Sequence, residues 1–524
     1  MRERKAEYKP LSFSTTMRNP SRMVDFLVCI LPYDGKILTN DVIDEIVKLL
    51  VKRKIYKPVY IFKNPHLKQV LNEERDFSDK EVMDIILNST QNHKEKGFDK
   101  GWPSRFDTWY KLSKEFGFVY YEMNLPIQIS LTGHMLIDAY SENPINDEKI
   151  KNVFLNALVK YRTNNPFRKN LCDNSPLLLL LQVIKLLKDD PEENGAGVFR
   201  KEISLLICWP NNNAIDLYKK IKELRKNYRF NYGDEVVYEL CINLLGATEQ
   251  QQNRFKISHI TGEAVDEYIR KMRITGVVSL RGNGRFLDFN SFESEKINYI
   301  LEKYQLYDSF QSKEEYFKYI GTIDTNIMAI AKTVDVQSAE NIKIKTLDDW
   351  VNKYSKNEIL NELKITCRNG KSKNEVLKII DKPTRFEFLI SISLKQHFDK
   401  LTVIPNYHVD DEGLPTFTAS GGIADIECFN VEYNTLVEVT LMSARNQATN
   451  EMPAITRHLK EAIERQPEII TFSILVAPSI HEDTKYMAGF SKYQYNIDIL
   501  TYSIEEFIQR MTTKNDLIEF LKIK

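Results

Sequence analysis

Gly421-Gly422-Ile423-Ala424-Asp425-Ile426-Glu427-Cys428-Phe429, followed closely by Thr435-Leu436-Val437-Glu438-Val439-Thr440-Leu441, is the most informative stretch of the chain. Both segments read as strands, the first from Ile423 to Phe429 and the second from Thr435 to Leu441, joined by a short turn at Tyr433-Asn434. The first strand carries Asp425 and Glu427 on one face, and the second carries Glu438 among apolar neighbours. A carboxylate in an apolar strand is expensive to bury unless a metal ion, a proton or a cation balances it. Two such strands side by side can bring Asp425 and Glu438 to one point, which suits a hard divalent ion such as Mg²⁺ that takes oxygen ligands. Downstream, Glu451 heads an amphipathic helix over Ile455–Ile463. Upstream, Glu387 sits in an apolar helix, Phe386–Leu394, where a lone acid again asks for a partner. The competing reading for each acid is a solvated or salt-bridged carboxylate.

The chain has 524 residues, about three domains at roughly 150 residues each. At 42% apolar, 28% charged and 11% aromatic, with only 19 Gly and 18 Pro, it reads as folded and globular. Lys and Arg number 73 against 73 Asp and Glu, so a bulk polycation is excluded and any nucleic-acid partner must be held by locally basic surfaces. The charged N-terminus does not read as a signal peptide, and the longest apolar run, Leu177 to Ile184, is far too short to cross a bilayer. The six cysteines form no CxxC pair and no zinc spacing, and read as reduced buried thiols. A cytoplasmic protein with no membrane contact is expected.

Upstream of the acids the chain reads as helix-rich. Helices are expected over Ser21–Leu31 and over Asn40–Lys52, the latter capped at Thr39/Asn40, with a strand at Val59–Phe62. The aromatic-rich stretch Trp102 to Tyr121, with Trp102, Trp109, Tyr110, Tyr120 and Tyr121, reads as core, with stacking on bases as the alternative. Pro176–Leu187, Phe199–Ile207 and Asn213–Arg225 read as three helices resembling a helix-turn-helix core. Further on, Thr261 is expected to cap a helix with Val265, Tyr268, Ile269 and Met272 inward and Arg270, Lys271 and Arg273 outward. A hairpin across Gly282-Asn283-Gly284 follows, with Arg281 and Arg285 near its tip. A helix followed by a basic-tipped hairpin reads as a winged helix, its arginines within reach of DNA phosphates; a plain αβ packing unit with solvated basic residues reads equally well.

The acid-bearing strands resemble the PD-(D/E)xK nuclease core. The set Gly421–Glu427 with Val437-Glu438-Val439-Thr440 resembles the AlwI family of type IIS restriction endonucleases. Lys9-Pro10-Leu11-Ser12-Phe13-Ser14-Thr15-Thr16-Met17-Arg18-Asn19-Pro20 with Arg22, and Arg105-Phe106-Asp107-Thr108-Trp109, are similar to the same family. The resemblance implies a multidomain α+β enzyme: a helix-rich N-terminal recognition region with winged-helix-like modules, a helical linker, and a C-terminal α/β PD-(D/E)xK core. The boundaries expected are 1–165 and 166–302 for two recognition subdomains, 303–380 for the linker and 381–524 for the cleavage domain. The implied function is recognition of a short asymmetric duplex DNA site and Mg²⁺-dependent phosphodiester hydrolysis a few base pairs to one side, with Mn²⁺ as a substitute. The family's four active-site acids fall on Glu387, Asp425, Glu438 and Glu451, with Asp425, Glu438 and Glu387 on the metal; Glu427 has no counterpart. The residue usually found as Lys in the wider nuclease motif is Thr440, leaving Glu451, Gln447 or Arg445 to position the attacking water.

Double-strand cleavage requires two nuclease sites, implying a transient homodimer or a small nuclease subunit, and the family implies a cognate DNA methyltransferase. A nicking enzyme of the same family, a catalytically inactive DNA-binding protein and a structure-directed repair nuclease are the rival readings. Arg457-His458 reads either as a phosphate contact or as a surface pair, and His481-Glu482-Asp483 as a loop.

Overall fold

In the computed structural model the described residues are 13, 22–71, 75–142, 145–193, 195–246, 255–304, 309–368, 370–442, 445 and 447–521. By its internal contacts the chain divides into two units, Met1–Pro58 with Ser78–Glu142 and Asn146–Thr333, and Val59–Phe77 with Asn143–Ile145 and Val334–Lys524. Apart from Phe13, the N-terminal motif Lys9–Pro20 lies outside the described residues.

The first unit is mainly helical. Its early helices lie at Arg22–Ile30 and Asn40–Lys52, and the Thr39 side chain caps the second by accepting from the Val42 N–H. The helix Trp102–Glu115 carries the Arg105–Trp109 motif, and its Phe106, Trp109 and Tyr110 are core residues, as are Tyr120 and Tyr121 beyond it. Phe13 joins this core, stacked on Tyr161 at 5.2 Å. Asp107 is buried too, bonded to Lys114 and to the Tyr121 hydroxyl, so the motif's polar residue serves the fold.

A three-stranded antiparallel sheet stands in the same unit, with Phe286–Phe289 between Val198–Phe199 and Val278–Arg281. The hairpin expected across Gly282-Asn283-Gly284 is present, and all three turn residues have positive φ, which the two glycines adopt without a Cβ penalty. The helix expected over Phe199–Ile207 begins later, at Ile203, because Val198 and Phe199 pair with Leu287 and Phe286. Gly197 permits that pairing, since a Cβ there would lie 2.2 Å from the Leu287 carbonyl oxygen. Thr261 does not cap a helix: it sits inside a π-helical turn, His259–Glu263, with its hydroxyl donating to Ile257 O, and the helix proper is Ala264–Arg273.

In the second unit Val59–Lys63 is a short helix rather than a strand, burying Ile61 and leaving Val59 and Phe62 exposed. One buried residue in four is a helical, not an alternating, pattern, and here β-branched propensity yields to it. The unit's sheet has five strands: β1 (Thr402–Pro405), β2 (Ile426–Phe429), β3 (Tyr433–Val439), β4 (Ile470–Ala477) and β5 (Ile499–Ser503). Their order is β5-β4-β3-β2-β1, parallel at β5/β4/β3 and antiparallel at β3/β2/β1. The turn between β2 and β3 falls at 430–432, because Tyr433 and Asn434 pair with β4. The parallel pairs need crossovers, supplied by helices α2 (Met452–Arg465) and α3 (Glu482–Tyr495). Their inner residues Met452, Ile455, Leu459 and Ala488 form one core with Leu436, Leu475 and Ile499 of the sheet. Each such buried aliphatic side chain contributes about 1.5–3 kcal/mol. A further helix, α1 (Lys382–His397), packs on β1 and is itself covered by the helix Val336–Lys353, with Phe388 against Trp350. Among the described residues the six cysteines are free, and no helix is long and apolar enough to cross a membrane.

The first unit's core holds a charge cluster: Glu202 is fully buried, and Arg225 donates to both of its carboxylate oxygens, to Glu193 and to Gly197 O. Arg225→Met leaves Glu202 buried without its cation and should cost about 3–5 kcal/mol in urea unfolding, whereas a loss below about 1 kcal/mol would show the pair to be dispensable.

Candidate active site

Asp425 and Glu438 meet where β2 and β3 end together. Asp425 is the residue just before β2 and not inside a strand from Ile423, and its backbone is pinned by Asn406, which donates N–H to Asp425 O and Nδ2 to Ala424 O. From there the two acids clasp each other's backbone. The Val439 N–H donates to Asp425 Oδ2 at 2.8 Å, and the Asp425 N–H donates to Glu438 Oε2 at 3.3 Å. The register explains why: Ile426 pairs with Val437, so the next residues along each chain stand opposite one another.

Glu387 comes from the middle of α1. It is buried, and its Oε2 accepts the Ala419 N–H from the chain leading into β2. Glu451 closes a π-helical turn, Gln447–Glu451, at the start of α2. Its Oε1 accepts from the Thr440 hydroxyl at 3.0 Å, and Thr440 Oγ1 in turn accepts the Met442 N–H. Thr440, at the position where a lysine was to be expected, is thus a holder of Glu451. The other two water-positioning candidates are committed elsewhere. Gln447 is buried and ties Met442 O and Ser479 O to His481 N and the Thr484 hydroxyl, and Arg445 pairs with Asp483 at 2.7 Å.

His458 was missed as a site residue by the sequence reading. It is no surface group: it is buried on α2, with Nδ1 2.9 Å from Glu438 Oε1 and Nε2 unpartnered. The signal was present, because Ile455, His458, Leu459 and Ala462 share the buried stripe of the helix, and a histidine on such a stripe needs a polar partner. His481, in contrast, is the N-cap of α3, accepting from the Asp483 N–H.

Burial, with the neighbouring carboxylates adding to it, disfavours the ionised forms of Asp425, Glu387 and Glu451. Burial first, then the charges of Glu387 and Glu438, hold the Asp425 carboxyl well above the usual carboxylate range. Burial pushes Glu387 up to about 8, with Glu438 adding to it against the Ala419 hydrogen bond. Glu451 is raised by burial and by Glu438, opposed by its bond from Thr440. Among the described residues no three His, Cys, Asp or Glu side chains already stand at metal-ligating spacing. The donor chemistry nonetheless fits a divalent cation: hard carboxylate oxygens that raise one another's pKa are a group from which a positive charge removes the strain.

The basic residues expected on DNA are unequally placed. Lys271 is fully buried rather than outward, its Nζ over the Phe13 ring at 5.1 Å and its pKa lowered by burial to about 8. Arg270 and Arg273 are half-buried on the same helix. Arg281 is turned back onto its own hairpin, donating to Asp288 and Phe289 O, while Arg285 is exposed at the tip.

Three solved restriction endonuclease structures are similar to this chain. The small subunit of the heterodimeric restriction endonuclease R.BspD6I is 21% identical, covering 32% of this chain and 84% of its own, at a TM-score of 0.27. FokI is 12% identical with 98% of both chains covered and a TM-score of 0.25, and FokI bound to DNA is 13% identical with the same coverage and a TM-score of 0.23. No curated protein matches. The model of the AlwI restriction endonuclease family matches residues 114–330 and 320–509, spanning both the helical unit and the sheet where the four acids meet. On that span, the chain belongs to the AlwI family of type IIS restriction endonucleases, and is a site-specific deoxyribonuclease.

Proposed function

We propose that this enzyme cuts both strands of duplex DNA a few base pairs to one side of a short asymmetric site, using Mg²⁺ held by Asp425, Glu438 and Glu387. The observation that carries the reading is the reciprocal clasp in which Asp425 and Glu438 each accept the other strand's N–H, which holds the two carboxylates together at one sheet end. When bound, the ion supplies Lewis-acid stabilisation of the charge that grows on the phosphate and on the leaving 3′-oxygen. The protein's own groups do the positioning. His458 holds the Glu438 carboxylate through Nδ1. Thr440 occupies one oxygen of Glu451, leaving the other to orient the attacking water, the task a lysine has in the wider nuclease motif.

On this reading, 1–165 and 166–302 are recognition subdomains, the second with a winged-helix-like hairpin; 303–380 is the linker and 381–524 a PD-(D/E)xK cleavage domain. The second strand is cut by a transient second copy or a small nuclease subunit. The enzyme works in the cytoplasm beside a methyltransferase that protects the same site.

Supercoiled plasmid incubated with Mg²⁺ should yield linear fragments with fixed offset ends, lost in EDTA and reduced at least about 10²–10³-fold by Asp425→Ala or Glu438→Ala, with site binding retained. Open circles nicked at one repeated sequence would reassign it as a nickase; metal-independent product would refute the reading. Thr440→Val should lower kcat by about 10–100-fold with KM unchanged, as loss of a positioning partner does; an unaltered kcat would release Glu451 from its assigned task.

Stability should depend on pH in the direction set by these acids. Glu387, Asp425 and Glu451 have folded-state pKa values above their unfolded ones. Their contribution is therefore present in full below the ordinary carboxylate range and lost as pH rises toward about 8, the value for Glu387. Without metal, Tm should fall across that window, and Mg²⁺ should raise Tm more at its alkaline end than at its acid end. A metal effect that is equal at both ends would contradict binding at the four acids.

A further inference from the structure

The helix Ala214–Tyr228 ends in a turn that a residue with a Cβ adopts only under strain. Arg229 has φ +53° and ψ −120°, its N–H returns to Arg225 O, and the Asn231 N–H closes on Tyr228 O at 3.0 Å. These are the angles of the first central position of a type II′ turn, where Gly is the usual residue. Here it is an arginine with an exposed side chain. Strain of this kind persists where the surroundings impose it and concentrates at functional positions. An exposed side chain gains nothing from packing that would offset the strain.

The surroundings that impose it are aromatic. Phe230, the next residue, packs on Phe286 at 5.2 Å and on Phe199 at 5.3 Å, and those two rings lie 5.5 Å apart. Arg285, at the hairpin tip, lies over the same Phe199 and Phe286 rings at 5.8 and 5.9 Å. Arg229 immediately precedes one ring of this group in the chain, and Arg285 lies over the other two. Neighbouring arginines are consumed within the fold: Arg225 by Glu193 and Glu202, Arg200 by Asp266, Arg281 by Asp288. The nearby Asp234 is paired with Lys201. Among the described residues Arg229 and Arg285 have no carboxylate partner. In a chain whose charges sum to zero, two open guanidiniums beside one group of rings mark a site for an external anion.

We propose that Arg229 and Arg285 form a clamp on the sugar–phosphate backbone of duplex DNA, each fork meeting a phosphate, which positions the recognition unit without reading bases. The clamp rests on the reading of the chain as a DNA-cleaving enzyme, and supplies a contact, Arg229, which the helix and hairpin pattern alone does not suggest.

The test is fluorescence anisotropy of the full-length enzyme with a mixed-sequence duplex of about 30 base pairs in EDTA, across a series of NaCl concentrations. Arg229→Gln and Arg285→Gln should each flatten the slope of log K against log salt by about 0.9, and the double variant by about 1.8. Lys185→Gln, which breaks an exposed pair with Asp189, should leave it unchanged. Arg229→Gly should flatten the slope as Arg229→Gln does while raising Tm, because glycine relieves the turn. Unchanged slopes in both single variants, an equal change in Lys185→Gln, or a lowered Tm in Arg229→Gly would each overturn the clamp. A wild-type enzyme with no affinity for duplex would overturn the nuclease reading along with it.

Discussion

Two backbone N–H groups shared between two carboxylates hold the acid cluster of this chain together. Val439 donates to Asp425 and Asp425 donates to Glu438. Because β2 and β3 are antiparallel neighbours whose register places these residues opposite each other, the acids cannot separate without breaking the sheet. Everything around them reinforces the arrangement. α1 brings Glu387 against the chain entering β2, α2 brings His458 beneath Glu438, and the turn before α2 delivers Glu451 to Thr440. The cost is electrostatic, seen in the raised pKa values of Asp425, Glu387 and Glu451. A fold that gathers like charges in a buried place is stable only with protons or a cation there.

The first unit handles charge in the opposite way. Several of its buried charges are paired inside the fold, Glu202 with Arg225 and Asp107 with Lys114, and its hairpin arginine Arg281 with Asp288. With 73 basic and 73 acidic residues, the chain has no general excess of positive charge to attract DNA. Attraction for DNA then comes from locally exposed cations, for which the pre-organised fork of an arginine is better suited than a lysine.

How much of this could be read in advance follows from how local each signal is. Glu438 was legible because an acid inside an apolar strand has no cheap explanation, and the convergence with Asp425 followed from a short connection. The start of β2 differs from the expected Ile423 because an apolar residue after Gly421-Gly422 looks strand-like, while the pairing begins only at Ile426. Lys271 and His458 differ from expectation for one reason: each is a polar residue on a buried helical stripe, where position outweighs residue type. Val59–Lys63 shows the limit of short apolar runs, in which four residues do not separate a strand from a helix. The roles of Thr440 and Arg229 lay beyond sequence altogether, since the first depends on a turn eleven residues away in the chain and the second on a backbone angle.

Crystals soaked in Mn²⁺ and measured at the manganese absorption edge test the central claim most directly. The account predicts one anomalous peak bound by oxygens of Asp425 and Glu438, with Glu387 on the ion or on a water it holds. A peak elsewhere, or none while both carboxylates stay paired only with backbone N–H groups, would contradict it.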